Sequence, residues 1–210
     1  MRQAGLEDLP RFVEPMLPIA GLAPTSDDWA MEVKWDGIRA QLRFDRHAVC
    51  VRSRTGRDCT GQFPELEAIA EQLPRLEVIL DGELVCFGAE GKSDFPALRT
   101  RLVQREGRAP TAAEHVPVTL VVFDVLHLSG RAVRELPYAR RRELLAELAL
   151  DGSAWQTPAI SLTRAKRCLW PQPSTASRGS SPNGSTAATP KAGAAGRGSN
   201  RNIDAVNGCS

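Results

Sequence analysis

The chain has 210 residues, 42% of them hydrophobic, and a formal net charge of +2 at pH 7. This length predicts one domain with at most an appendage, and the hydrophobic fraction is sufficient for a buried core. The near-neutral charge excludes a strongly cationic nucleic-acid-binding protein, so any DNA contact has to come from a local arginine face. The sequence has no run that resembles a signal peptide or a membrane span, and its five cysteines form no CxxC pair. We therefore expect a cytoplasmic protein with reduced thiols and no membrane partner.

The amino-terminal third is predicted to pass from irregular structure into β-structure. Residues 1–29 are rich in proline and end in a turn at residues 26–28. A short strand at residues 30–33, an Asp-Gly turn at residues 36–37 and a hairpin ending near Arg54 follow. The sequence thus places Lys34 at the end of a strand.

Lys34 is unusual because only four of the 27 basic residues in this chain are lysines. A desolvated lysine can lose its proton and act as a nucleophile, whereas arginine stays protonated. The alternative is a solvated lysine beside a common turn, and composition alone favours that alternative.

Two carboxylates interrupt the next predicted strand. An amphipathic helix is predicted over residues 63–73, and residues 77–87 then form a strongly apolar strand that contains Asp81 and Glu83. Charges in so apolar a run are unfavourable unless they are paired or bind a metal ion. Both residues are therefore candidate site residues, with a turn and an ordinary surface residue as the alternative.

The remaining elements up to residue 163 are predicted as follows. Residues 92–102 contain a short capped helix with an arginine face, and residues 105–116 are a polar loop. Residues 118–126 form a buried strand that includes Phe123, and a helix begins after Pro137. From the residues alone, Phe123 is predicted to lie in the core.

Several of these segments resemble the motifs of one enzyme family. The segment from Lys34 to Arg39 (Lys-Trp-Asp-Gly-Ile-Arg) resembles the nucleotidyl-transfer motif of ATP-dependent DNA ligases and of their relatives, the RNA ligases and mRNA capping enzymes. Three further motifs follow in the order seen in the ligases: Ser53-Arg54-Thr55-Gly56, Asp81-Gly82-Glu83 and Phe123-Asp124-Val125-Leu126. The Leu-Pro-x-x-x-Arg-Arg phrase that begins at Leu136 is also typical of these enzymes. Over residues 10–163 the chain is similar to bacterial ATP-dependent DNA ligases of the double-strand-break-repair type.

The resemblance implies a fold and an activity. The fold would be α+β, an ATP-grasp-like nucleotidyltransferase (adenylation) domain of antiparallel sheets with flanking helices. Lys34 would attack the α-phosphorus of ATP to form a lysyl-AMP, and the AMP would pass to the 5′-phosphate of nicked double-stranded DNA before the strand is sealed. ATP and Mg²⁺ (or Mn²⁺) are the implied cofactors, and we expect a monomer.

The resemblance also implies roles for individual residues. Glu32 and Phe123 would recognise and stack adenine, and Arg39 and Arg54 would position phosphate groups. Glu83 would serve the ribose and the metal ion, for which a carboxylate is a suitable ligand. Read without the resemblance, Arg54 could equally be an arginine in solvent at the end of a hairpin.

The pattern changes after residue 163. Residues 1–163 are interpreted as a partial ligase adenylation domain, and residues 164–210, which are rich in Ser, Gly, Ala and Pro, are predicted to be disordered. Two family motifs, Glu-Gly-x-Val-x-Lys and Lys-x-Lys, and the carboxy-terminal OB-fold are missing, so the domain is expected to be incomplete. Read one nucleotide earlier, residues 177–184 permit Leu-Glu-Gly-Val-Val-Ala-Lys-Arg and residues 198–202 permit Trp-Val-Lys-Pro-Lys, which indicates a frameshift near residue 163.

Three functional interpretations follow from this sequence. The first is an ATP-dependent DNA ligase domain, expected to seal nicks weakly or not at all as this chain. The second is an RNA ligase or a GTP-using capping enzyme, which nucleotide preference would distinguish. The third is a catalytically dead remnant that binds nucleotide or DNA.

Overall fold

The computed structural model describes residues 8–21, 29–103, 109–159, 185–190 and 203–205. The described strands are, in chain order, β1 (Ile19–Gly21), β2 (Trp29–Lys34), β3 (Ile38–Phe44), β4 (Val49–Ser53), β5 (Val78–Val85), β6 (Thr119–Leu128), β7 (Arg131–Ala132), β8 (Trp155–Gln156), β9 (Ser185–Pro190) and β10 (Ile203–Ala205). The described helices are α1 (Phe95–Leu102), α2 (Ala109–His115), α3 (Tyr138–Glu147) and the 3-10 helices Thr60–Gln62 and Pro64–Gln72. No described helix is long and apolar enough to cross a bilayer.

The larger of two compact units combines residues 1–15 with residues 36–158. Its sheet has the order β4-β3-β5-β6-β7, with β8 beside β6. All of these pairs are antiparallel except β6 with β8. The expected antiparallel sheet with flanking helices is confirmed.

One face of this sheet carries the apolar core. Alternate residues of a strand point to opposite faces, and the even-numbered positions Leu42, Leu80 and Leu84 are fully buried in a single cluster. Phe63, between the two 3-10 helices, packs into the same cluster, as do Leu66 and Ile69 of the second 3-10 helix. This face holds the helices against the sheet.

The opposite face of the same sheet is polar. Its odd-numbered positions include Arg39, Gln41 and Asp81, interrupted by a small apolar cluster of Val13, Ile79 and Leu126. Gln41 holds the amino-terminal segment to this face: its side chain accepts from the Val13 N–H at 3.1 Å and donates to the Val13 carbonyl at 2.5 Å. The sheet therefore offers a second surface whose side chains do not serve the main core.

At two positions of the motif segments, a neighbouring backbone lies so close that only glycine fits. A Cβ on Gly82 would lie 2.6 Å from the Val121 carbonyl oxygen, and a Cβ on Gly37 would overlap the Leu84 carbonyl oxygen. Real Cβ atoms do not approach backbone oxygens this closely. Glycine at both positions lets neighbouring backbone segments approach β5 and β6.

The helix predicted over residues 63–73 is present at Pro64–Gln72. It is a 3-10 helix, which suits apolar residues repeating every third position at Phe63, Leu66 and Ile69. Two other sequence predictions in this unit were wrong. Residues within the predicted loop 105–116 form α2, whose alanines favour a helix. Arg101 of the predicted arginine face of α1 is buried, because its guanidinium pairs with Glu65.

The second unit combines residues 16–35 with residues 159–210. Its sheet has the order β1-β10-β9-β2, and β9 pairs with β2 in antiparallel register, with Ser185 opposite Lys34. The two tail strands β9 and β10 differ from the disorder predicted for residues 164–210. Pairing satisfies backbone groups whatever the side chains are, so a strand can form without apolar periodicity. The rest of that prediction, and both frameshift strings, lie outside the described residues.

Candidate active site

The polar face of the larger unit holds a buried ion pair between β3 and β5. Arg39 donates to the Asp81 carboxylate through two nitrogens, with Nε–Oδ1 at 3.1 Å and Nη2–Oδ2 at 2.7 Å. The Asp81 side chain is 3% exposed and that of Arg39 is 15% exposed. Two parallel hydrogen bonds fix the plane of the guanidinium group. The charge predicted to be unfavourable in this apolar strand is thus paired.

Burial and charge act against each other in this pair. Burial raises the pKa of the Asp81 carboxyl, and the bonds from Arg39 oppose that rise while Asp124 on the next strand adds to it. For Arg39, burial lowers the pKa, but the hydrogen bond and charge of Asp81, together with the charges of Glu83 and Asp124, outweigh burial and leave the pKa raised. Arg39 therefore stays a cation in a partly buried position.

Phe123 lies at a bulge in β6, next to Arg39. Gly82 of β5 is aligned with Val122 and Asp81 with Asp124, so the register skips Phe123. Bulges redirect side chains and occur often beside active sites. The Arg39 guanidinium carbon lies 5.4 Å from the Phe123 ring centroid. With an arginine over one face, the ring can accept a planar base on its other face.

Phe123 was predicted, from the residues alone, to be a core residue. The structure leaves it half-buried and outside both apolar clusters of the described residues. Its position at the bulge explains why a phenylalanine in so apolar a strand is not part of the core.

Glu83 lies beside Arg39 on the same face. The two residues are directly aligned partners of β5 and β3, and the Glu83 side chain is half-buried. The described residues contain no cluster of three or more side chains that could hold a metal ion. A metal ion at Glu83 would therefore need ligands from elsewhere, such as phosphate oxygens and water.

Arg54 follows the β3–β4 hairpin. Its backbone N–H donates to the Arg39 carbonyl at 3.1 Å, and its side chain is exposed. The structure thus places four predicted site residues on three adjoining strands and the hairpin end of one unit: Arg39, Arg54, Glu83 and Phe123.

Glu32 and Lys34 lie on β2 in the other unit. They are two positions apart, so their side chains share one face of that strand. Lys34 is exposed at the strand end, and Glu32 is half-buried. Lys34 has no ion-pair partner within the described part of the chain.

Sequence reasoning missed the partner of Asp124. Asp124 is buried on β6, aligned with Asp81, and accepts from Arg141 Nε at 2.8 Å and from Arg141 Nη2 at 2.9 Å. The signal was present, because Asp124 interrupts an apolar strand just as Asp81 does. Arg141 belongs to the Leu-Pro-x-x-x-Arg-Arg phrase, whose role the sequence did not reveal.

Comparison with known proteins agrees with these motifs. The family model described as "ATP dependent DNA ligase domain" matches residues 15–166. The multifunctional non-homologous end joining DNA repair protein LigD of Mycobacterium tuberculosis is 40% identical over 131 residues, which is 62% of this chain and 16% of that protein. DNA ligase C1 of Mycolicibacterium smegmatis is 35% identical over 149 residues, covering 68% of this chain and 42% of that protein. The chain thus spans less than half the length of these relatives.

Solved structures give the same result. The ligase domain of M. tuberculosis LigD matches with a TM-score of 0.59 at 36% identity, over 70% of this chain and 46% of that one. A mycobacterial DNA ligase D complexed with ATP and MES matches with a TM-score of 0.55 at 34% identity, over 68% of this chain and 45% of that one. The resemblance to ligases of the double-strand-break-repair type is therefore confirmed, and the chain belongs to the ATP-dependent DNA ligase domain family.

Proposed function

We propose that this chain is the adenylation part of a DNA ligase, which takes AMP from ATP onto Lys34 and passes it to the 5′-phosphate of nicked double-stranded DNA. The observation that carries this proposal is the convergence of Arg39, Glu83 and Phe123 on one polar face, although they are far apart in sequence. Family membership supports the same conclusion. A sheet face with a cation, a carboxylate and a half-buried ring suits a nucleotide, which has phosphates, a ribose and a planar base.

In the proposed reaction Lys34 is the nucleophile. Its neutral Nζ attacks the α-phosphorus of ATP and forms a nitrogen–phosphorus bond, while the bond to the bridging oxygen breaks and pyrophosphate leaves. The nitrogen releases one proton to solvent as the phosphoramidate forms. The exposed position of Lys34 at the end of β2 gives Nζ access to a ligand from solvent. The 3′-hydroxyl of the nick would displace the AMP in the last step. Lysine suits this role because it can lose a proton, whereas arginine cannot.

The other residues of the site would bind and orient the nucleotide. Phe123 would stack adenine, and Glu32 would contact its polar edge. Arg39, whose plane is fixed by Asp81, would position a phosphate group, and exposed Arg54 would contact a phosphate of the nucleotide or the DNA. Preorganised cations of this kind stabilise charge that develops on transferring phosphoryl groups.

Glu83 is the proposed ligand for Mg²⁺ (or Mn²⁺). Its carboxylate is a hard oxygen ligand, and magnesium in phosphoryl-transfer sites is commonly held by one or two carboxylates together with substrate phosphates. The ion would offset phosphate charge. A single half-buried carboxylate fits that pattern better than a preformed metal cage.

Intact-mass analysis after incubation with ATP and Mg²⁺ tests the proposal. The wild-type chain is expected to gain the mass of one AMP, and Lys34→Ala and Lys34→Arg are expected to gain nothing. GTP in place of ATP is expected to give no adduct, which separates a ligase from a capping enzyme. Wild-type protein without an adduct, or an adduct that persists in Lys34→Ala, would contradict the assignment.

We also propose that residues 164–210 arise from a one-nucleotide shift of the reading frame near residue 163, and that the monomeric, cytoplasmic chain seals nicks weakly or not at all. The support is that two short segments permit the two missing motifs in the correct order. Resequencing the codons around residue 163 tests the first part, and an intact frame there overturns it. Efficient nick sealing by the purified chain overturns the second part.

A further inference from the structure

Helix α3 presents two adjacent arginines to strand β6. Arg141 and Arg142 are both buried, with exposed fractions of 1% and 8%. Arg142 donates from Nη1 to the Phe123 carbonyl at 2.9 Å and from Nη2 to the Pro158 carbonyl at 2.6 Å. One guanidinium thus joins the backbone of the bulge to the last residue of the larger unit.

The carbonyl that Arg142 binds belongs to a residue that the strand register skips. Gly82 and Asp81 are aligned with Val122 and Asp124, and Phe123 lies between them. Because a bulge interrupts the ladder, the orientation of its extra residue depends on contacts from outside the strand pair. A planar guanidinium that bridges two carbonyls is a rigid contact of this type.

Arg141 restrains the neighbouring residue. It holds the Asp124 carboxylate with two nitrogens and donates from Nη1 to the Leu136 carbonyl at 2.6 Å. Phe123 is therefore fixed through its own carbonyl by Arg142 and on its carboxy-terminal side by Arg141. Since Arg141 balances a buried charge, its replacement would destabilise the fold directly. Arg142 binds the carbonyls of Phe123 and Pro158, so its replacement tests the contact to the bulge directly.

We propose that Arg142 is a positioning residue for base recognition, which sets the orientation of the Phe123 ring through the Phe123 carbonyl. This inference rests on the proposed function, since it takes Phe123 as the ring that stacks adenine. It assigns a nucleotide-binding role to the second arginine of the Leu-Pro-x-x-x-Arg-Arg phrase, although Arg142 itself need not touch the nucleotide. If Arg142 had only a structural role, it would hold α3 and Pro158 in place, and its replacement would not change how the adenine base binds.

Arg142→Lys is the main test variant, because lysine keeps the charge but cannot bridge two carbonyls as a planar group. Arg140→Lys is the matched control, since Arg140 is exposed on the same helix and pairs with Glu143 on that helix. Both variants are compared with wild type at a temperature where circular dichroism shows each to be folded. If Arg142→Lys does not fold, Arg142→Gln replaces it.

The first readout is the ATP concentration that half-saturates AMP uptake. Arg142→Lys is expected to raise it on the order of tenfold, in line with the contribution of base–aromatic stacking, and to leave the uptake at saturating ATP intact. Inhibition by pyrophosphate is expected to be unchanged, because pyrophosphate has no base. Phe123→Leu is expected to raise the same concentration, and the double variant to raise it no further. An unchanged concentration in Arg142→Lys, or effects that multiply in the double variant, overturns the proposal.

A second readout does not depend on AMP uptake. In protein with ¹³C-labelled phenylalanine rings, the Phe123 signals are identified by their loss in Phe123→Leu. They are expected to shift in Arg142→Lys and to stay in place in Arg140→Lys. If the Phe123 signals are unchanged in Arg142→Lys, the positioning role is overturned. If the signals shift in Arg142→Lys but the wild-type chain takes up no AMP, the proposed function alone is contradicted.

Discussion

The two faces of the six-stranded sheet are built from the same strands but differ in what their side chains contact. On β5, Leu80 and Leu84 enter the apolar core, whereas Asp81 and Glu83 point to the polar face with Arg39 and Phe123. On the apolar face, side chains pack against the helices. On the polar face, charged side chains pair with one another. Because neighbouring residues of a strand alternate between faces, one short segment, Asp81-Gly82-Glu83, can serve both stability and the site.

The largest effect on stability is expected on the apolar face. Leu80 is fully buried, so Leu80→Ala removes buried methyl groups and leaves a cavity, at a cost of about 4 kcal/mol in the free energy of unfolding. AMP uptake per folded molecule is expected to be unchanged. Urea denaturation measures the first quantity and intact mass the second. If the folded Leu80→Ala chain no longer takes up AMP, the apolar face also serves the site, and the proposed difference between the two faces is wrong.

The polar face is expected to respond through charge. Arg39→Met removes the partner of buried Asp81 and should cost about 3 kcal/mol at neutral pH. The pKa of Asp81 is raised by burial, so the folded state holds this proton more tightly than the unfolded state. Stability from this group is therefore present at acidic pH, below the ordinary pKa of an aspartate, and is lost as the pH rises through the higher folded pKa. The loss of unfolding free energy caused by Arg39→Met should therefore become smaller when the pH is lowered from 7 towards 5. A loss that becomes larger over this range would contradict the pairing of Arg39 with Asp81.

A half-exposed ion pair between Arg43 and Asp45, at the β3–β4 turn, is expected to give the smallest effect. Hydrogen bonds from Arg43, at 2.8 Å, and from the Ala48 N–H lower the pKa of Asp45 to about 2. Stability from Asp45 is present above its ordinary pKa and is lost as the pH falls towards about 2. Asp45→Asn should therefore cost less than about 1 kcal/mol at pH 7, because solvent screens the charge, and still less at pH 3. Urea denaturation at the two pH values checks this, and a cost as large as that of Arg39→Met would remove the contrast between the buried pair and the half-exposed one.

The sequence predicts the strands of this fold better than the contacts between them. Residues 77–87 were expected to form an apolar strand and residues 118–126 a buried one, and β5 and β6 lie there. The motif residues Arg39, Glu83 and Phe123 could be identified by resemblance, and the structure brings them together. Local sequence patterns are sufficient for both predictions, because apolar strand segments and the order of the motifs can be recognised along the chain.

The bulge at Phe123 and the contact from Arg142 could not be predicted. The bulge depends on the register between β5 and β6, which are separated in the chain by α1 and α2. Arg142 donates to a carbonyl 19 residues away in the chain. No local pattern in the sequence encodes a hydrogen bond to a backbone carbonyl at that distance. The missed helix α2 has a simpler cause, because its seven residues are too few to show a clear helical period.

Under the proposed function, the Arg39–Asp81 pair on the polar face serves nucleotide chemistry and not stability. The double variant Arg39→Met/Asp81→Leu tests it most directly, since it replaces a buried ion pair by apolar side chains of similar size. Such replacements are often neutral or stabilising, so the double variant should melt within a few degrees of wild type. Its AMP uptake, measured by intact mass beside wild type, should fall by about a hundredfold or more. A double variant that melts much lower yet still takes up AMP at the wild-type rate would show that the pair serves the fold, which would contradict the account.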